Sequence, residues 1–149
     1  PIGYVQHANP IARKAEVCAY TVSGRIPIHT SLRINTQLMW RMSTSPICNK
    51  SVEYNDNRIS LFSAQWGQCA VTGIPFVNLN EIHCHHKIPR HAGGTDEYSN
   101  LTLILEKVHV LIHAVNEHTI RKYMDMLKLS ASQLAKVNKL RSIAGLNCI

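Results

Sequence analysis

A chain of 149 residues that is 45% hydrophobic and 17% charged has the composition of one ordinary globular domain, with room for a smaller appendage. No uncharged apolar run reaches the length that a membrane span needs, and no basic–apolar–small leader opens the chain, so no membrane role is expected. The net charge of +7 favours a polyanionic partner, nucleic acid before an acidic membrane surface.

That excess is spread along the chain: residues 1–57 carry 6 Lys/Arg against 3 acids, and the rest carry 10 against 6. A denser block lies late, at Arg121, Lys122, Lys128, Lys136, Lys139 and Arg141, opposed within it only by Asp125. The chain opens PIGYV without a Met, which fits a processed product or a piece of a longer polypeptide. Five cysteines (Cys18, Cys48, Cys69, Cys84 and Cys148) form no C-x-x-C pair and are odd in number, so they read as reduced thiols of a cytosolic protein.

In chain order, AEVCAYTVSGRIPIHT (15–30) has two β-branched runs about a Ser23-Gly24 turn, the pattern of a small hairpin. Residues 31–57 are mixed and polar and read as a connector or accessory subdomain. Asp56 or Asn57 is the expected cap of a helix through RISLFSAQW that Gly67 ends, and Thr72-Gly73 reads as a turn. A short strand is expected around Glu81 to Ile88, closed by Pro89, then a Gly-rich loop and a second strand, LTLIL (101–105). EKVHVLIHAV follows with Val108, Leu111, Ile112 and Val115 on one stripe, a helical spacing. Two further amphipathic helices are expected over 117–127 (apolar face Ile120, Tyr123, Met124, Leu127) and 131–144 (Leu134, Val137, Leu140, Ala144), with Lys and Arg on their other sides. Trp40, Tyr54 and Trp66 are expected in the core.

The chemistry lies in the histidines. His109 and His113 are four apart, so both imidazoles leave one helix face beside the apolar stripe. Folding strand, loop, strand and helix together brings His85 near that pair, and three imidazoles around one cation make a metal site with open positions. Cys84 alternates with His85 and is read as a buried thiol. His83 is read as a packing or supporting residue. The alternative, that the histidines are scattered core and surface residues, fits their order and spacing poorly.

Those residues carry a resemblance. His85, His86, Asn100, His109 and His113, with H-H-x-I-P at 85–89, G-G at 93–94, N-L at 100–101 and H-x-x-x-H at 109–113, resemble the HNH nuclease motif, the ββα-metal finger. The resemblance implies an α+β fold, a finger with flanking helices, and a metal-dependent DNA endonuclease. His86 would be the general base, a task that suits an imidazole because its ordinary pKa of about 6.5 leaves the ring mostly neutral. His85, His109 and His113 would hold the cation, and Asn100 would bond to backbone and brace the loop. Lys87, Arg90 and His91 border the site as candidate DNA contacts, although His91 is more simply a polar loop residue. Arg121 and Lys122 are further candidates for the DNA backbone. The implied cofactor is one Mg²⁺ or Mn²⁺, although three imidazoles also suit Zn²⁺ or another transition ion. Relatives with two C-x-x-C pairs hold a structural zinc; here only Cys69 stands at those positions, beside Thr72, Leu105 and Val108, so no structural zinc is expected.

A wider resemblance covers YNDNRISLFSAQWGQCAVTG, EIHCHHKIPRHAGGTDEYSNL, VHVLIHA and TIRKYMDML, which look like the C-terminus of bacterial group II intron reverse transcriptases. It implies an accessory DNA-binding region at 1–57 and an endonuclease domain with C-terminal helices at 58–149. It also implies a cytoplasmic bacterial protein acting on double-stranded DNA, with intron RNA and the reverse transcriptase portion of its polypeptide as partners. The implied reaction nicks one strand and leaves a 3′-OH. The polymerase is absent, since no Y-x-D-D occurs. Alternatives are a nucleic-acid-binding module that keeps the finger as a scaffold, and a free-standing HNH nuclease.

Overall fold

The computed structural model describes residues 34–149; the hairpin expected at 15–30 lies outside them. Two helices come first. α1 (Thr36–Thr44) starts where the Asn35 side chain accepts from the Leu38 amide, and it buries Leu38 and Met42, one turn apart. α2 spans Val52–Ala64 and is capped by Ser51, whose hydroxyl accepts from the Tyr54 amide at 3.0 Å. The cap is therefore not Asp56 or Asn57. Both lie inside the helix, which begins in the polar stretch that read as a connector because Val52 and Tyr54 are the only apolar residues in its first two turns. Tyr54, Arg58, Leu61 and Phe62 form its buried face, and the boundary expected at 57/58 falls inside it. The compact unit runs Ile34–Ile149.

The end of α2 departs from expectation in one respect. Trp66 and Gly67 lie beyond the helix, both with positive φ, and the Gly67 amide returns to the Phe62 carbonyl. That geometry turns the indole outward. Trp66 is 57% exposed and Trp40 is 66% exposed, so neither belongs to the core, whereas Tyr54 does.

A tight turn at Thr72-Gly73 follows, with Gly73 at φ 72°. β1 (Ile82–His86) then pairs antiparallel with β2 (Leu101–Leu105), placing His85 opposite Thr102 and His86 opposite Leu101. β2 buries Leu101, Thr102, Leu103 and Ile104 in succession because helices cover both faces of the sheet. Each such apolar side chain contributes roughly 1.5–3 kcal/mol of transfer free energy.

α3 (Glu106–His113) leaves β2 directly and buries Val108, Leu111 and Ile112. α4 (Glu117–Leu127) starts at the Asn116 cap, and its Ile120, Tyr123, Met124 and Leu127 pack against the core as expected. α5 (Ala131–Ile143) starts with a reciprocal capping box between Ser130 and Gln133 and buries Val137. The fold is α+β: a ββα finger between helices. None of the described helices is long and apolar enough to cross a membrane.

A second arginine, besides Arg58 of α2, does not face solvent. Arg141, expected on the outer side of α5, is 3% exposed. Its Nη1 donates to the carbonyls of Leu111, Ile112 and Ala114, and its Nε to that of Asn147. The guanidinium thus closes the C-terminal end of α3, where carbonyls have no intrahelical partner.

Candidate active site

Strand alternation splits the histidines of β1. His83 and His85 face α3, while His86 lies against Tyr54 of α2, with ring centroids 5.6 Å apart. The Tyr54 hydroxyl donates to the Cys84 carbonyl, which fixes the strand to that helix.

On the α3 side, His85, His109 and His113 converge. Ring centroids lie 5.5 Å apart for His85–His109, 5.2 Å for His85–His113 and 4.7 Å for His109–His113. One nitrogen from each lies within 4.8 Å of the others. Burial, reinforced by the neighbouring histidines, lowers the pKa of His85 to about 4 and that of His109 to about 3. His113 is lowered as well, by burial and then by the nearby charges of His83 and Arg141. All three rings are therefore neutral at pH 7, with lone pairs free to bind a cation. His85 Nε2 is fully buried and has no hydrogen-bond partner, the single such side-chain atom among the described residues. An orphaned buried nitrogen costs about 1–3 kcal/mol unless something binds it. Three neutral imidazoles with one unsatisfied nitrogen fit a divalent transition cation.

On the α2 side the opposite holds, for the groups around His86 are bonded to one another. His86 Nε2 lies 2.8 Å from Asp96 Oδ1. Asp96 Oδ2 accepts from the Ser51 hydroxyl at 2.6 Å and faces Arg90 Nη2 at 3.5 Å, and the Asp96 carbonyl accepts from Asn57 Nδ2. Hydrogen bonds from Ser51 and then His86 hold the Asp96 carboxyl below the usual carboxylate range. A ring whose Nε2 donates to a carboxylate carries its lone pair on Nδ1.

Asn100 ties the intervening loop to the strands. Its Oδ1 accepts from the Ile88 amide at 2.8 Å, and its Nδ2 donates to the carbonyls of Ile88 and Thr95. Gly94 is required there, since a Cβ at that position would sit 1.8 Å from the Ile88 carbonyl oxygen. Lys87 turns its ammonium onto the Ser99 carbonyl of the same loop. Arg90 and His91 are exposed on it. Arg121 and Lys122 are exposed on α4, the former beside Glu117 and the latter over the Tyr123 ring.

Sequence reading missed four participants. Asp96 looked like a loop residue, and Ser51 and Asn57 lay in the presumed connector; no local pattern joins them to His86. Glu106 is the fourth. It holds His83 Nδ1 at 3.0 Å, and the His83 ring stacks on His109. Its signal was available, because Glu106 precedes His109 by three residues on one helix.

Residues 69–114 match the family model described as HNH endonuclease. The match spans β1, the loop, β2 and α3, but neither Ser51, Tyr54 and Asn57 nor Arg141. No curated protein and no solved structure matches the chain.

Proposed function

We propose that this chain is a metal-dependent DNA endonuclease in which His86 is the general base and His85, His109 and His113 hold one divalent cation. The observation that carries the reading is the contrast between two adjacent residues, His85 with an orphaned nitrogen in a cluster of neutral imidazoles and His86 with a carboxylate behind it. When bound, the cation supplies positive charge that offsets charge developing on the scissile phosphate.

The protein groups do the rest. Asp96 orients the His86 ring and favours the Nε2–H tautomer, leaving Nδ1 to take a proton from an attacking water. The water oxygen bonds to phosphorus as the P–O3′ bond breaks, and the leaving oxygen acquires a proton to become a 3′-OH. Asn100 and Gly94 hold the loop so that Asp96 keeps its place. Lys87, Arg90, His91, Arg121 and Lys122 are the proposed DNA contacts, positioning the duplex without reading sequence.

The wider resemblance supports a finer proposal. The chain nicks one strand of target DNA, and the resulting 3′-OH primes copying of intron RNA by a reverse transcriptase portion of the same polypeptide. Mg²⁺ or Mn²⁺ is the proposed working ion. Incubation of supercoiled plasmid with the protein and Mn²⁺ or Mg²⁺, with and without chelator, tests the core reading. Chelator-sensitive conversion to the open circle is expected, with extension of the nick by a DNA polymerase showing the free 3′-OH. Absence of nicking with either ion, alongside retained DNA binding, would favour a binding module built on the finger.

A further inference from the structure

His83 has no part in the site proposed above, although it faces α3 like His85. Its ring lies flat on His109, with centroids 3.5 Å apart and 17° between the planes. Glu106, in the first turn of α3, reaches towards both rings: Oε2 is 3.0 Å from His83 Nδ1, and Oε1 is 4.0 Å from His109 Nδ1. One ligand atom from each of the three lies within 4.8 Å of the other two. The group is half-exposed, so an ion can enter from solvent. A turn of one ring about its Cβ–Cγ bond brings the in-plane lone pairs together, and two imidazole nitrogens with a carboxylate oxygen form a donor set that zinc takes with a fourth position left open.

We propose that His83, Glu106 and His109 form a second site for a transition-metal cation of the zinc type, and that its occupation switches the nuclease off. The consequence rests on the nuclease reading; the site itself does not. Exclusion follows from ring chemistry. A neutral imidazole has one lone-pair nitrogen and one N–H, so His109 serves a single cation at a time. Committed to His83 and Glu106, it is withdrawn from His85 and His113. Committed to His85 and His113, it leaves Glu106 as a carboxylate beside the ring, the usual orienting neighbour of a ligand histidine. Glu106 is thus a ligand in one state and a positioning residue in the other. Because Mg²⁺ prefers oxygen ligands, the nitrogen-rich pair of sites responds differently to hard and soft ions.

The test uses Co²⁺ absorption and Zn²⁺ calorimetry on the full chain. The double variant His85→Ala/His113→Ala removes the other site and is expected to bind one Co²⁺ or Zn²⁺ per chain. Adding Glu106→Gln is expected to weaken that binding about tenfold or more. A double variant that is folded by circular dichroism yet binds neither ion overturns the proposal. Should the double variant not fold, His83→Phe keeps a ring against His109 without a ligand. The Zn²⁺ concentration that halves Mn²⁺-supported nicking, each protein measured against its own zinc-free rate, is expected to rise about tenfold in His83→Phe. Equal zinc sensitivity in parent and variant overturns it. Failure of all nicking would sink the nuclease reading while leaving the cobalt measurement decisive for the site.

Discussion

His85 and His86 are neighbours in sequence and receive opposite treatment. His85 is buried under α3 with one nitrogen unpartnered, whereas His86 faces α2 and is held by a carboxylate that Ser51 also holds. The sheet separates the two environments, because alternate residues of a strand serve different faces. A ligand must keep its lone pair unspent, so its surroundings are apolar or are other imidazoles. A base must keep one orientation and one tautomer, so one ring nitrogen is held by a polar, hydrogen-bonded neighbour while the other stays open.

The largest effect expected on this contrast comes from exchanging one histidine at a time. His86→Ala should slow nicking by roughly 10²–10⁴-fold with Mn²⁺ affinity retained. His85→Ala should instead lose Mn²⁺ binding, seen by calorimetry, and lose nicking through that loss. If both variants bound Mn²⁺ equally well, the division of roles across the sheet would be wrong.

Next in size is the support on the metal side. Arg141→Met leaves the carbonyls of Leu111, Ile112 and Ala114 unpaired and should destabilise the fold by about 3 kcal/mol in urea titration. Metal affinity should fall with it, because His113 closes the same helix end. Unchanged stability would remove Arg141 from the account.

Support on the base side should show a smaller, purely kinetic loss. Asp96→Asn should lower kcat about tenfold to a hundredfold while leaving KM for DNA and Mn²⁺ affinity near the parent values. The same substitution carries a pH signature. Because the Asp96 carboxyl sits below its ordinary range, its stabilisation is fully present above about pH 4 and is lost as pH falls through the depressed value. Asparagine does not titrate, so the acid limb of the stability curve should flatten in the variant. A limb of the same slope in parent and variant would count against the linkage.

The smallest change tests the surface. Arg121→Ala with Lys122→Ala should alter stability by less than about 0.5 kcal/mol. DNA affinity should weaken several-fold, and the salt dependence should drop by about one phosphate contact for each side chain that touches the backbone. Identical salt slopes would place both residues off the DNA.

Much of the site was legible because it is local. Pro89 and the Gly-rich loop bounded β1, the apolar stripe located α3, and the four-residue spacing put His109 and His113 on one face. Gly94 stands in the G-G pair of the motif, and the Ile88 carbonyl is what leaves no room for a side chain there. What escaped reading depends on partners distant in sequence. Ser51 meets Asp96 across 45 residues, and Tyr54 reaches the Cys84 carbonyl across 30. Arg141 lies four residues after buried Val137, so the helical stripe hinted at its burial, but a cation there reads as solvated until the carbonyls it caps are known.

By itself, then, the sequence determined which histidines share a helix face, which strand feeds them, and that the loop between the strands must be tight. These follow from backbone periodicity and from the steric limits of a Cβ, both properties of short stretches. Tertiary structure decided which histidine is left unsatisfied and which is partnered, that Arg141 closes the C-terminal end of α3, and that His83 and Glu106 crowd His109. Those outcomes turn on burial and long-range hydrogen bonding, which exist only once α2, the finger and α5 are packed together.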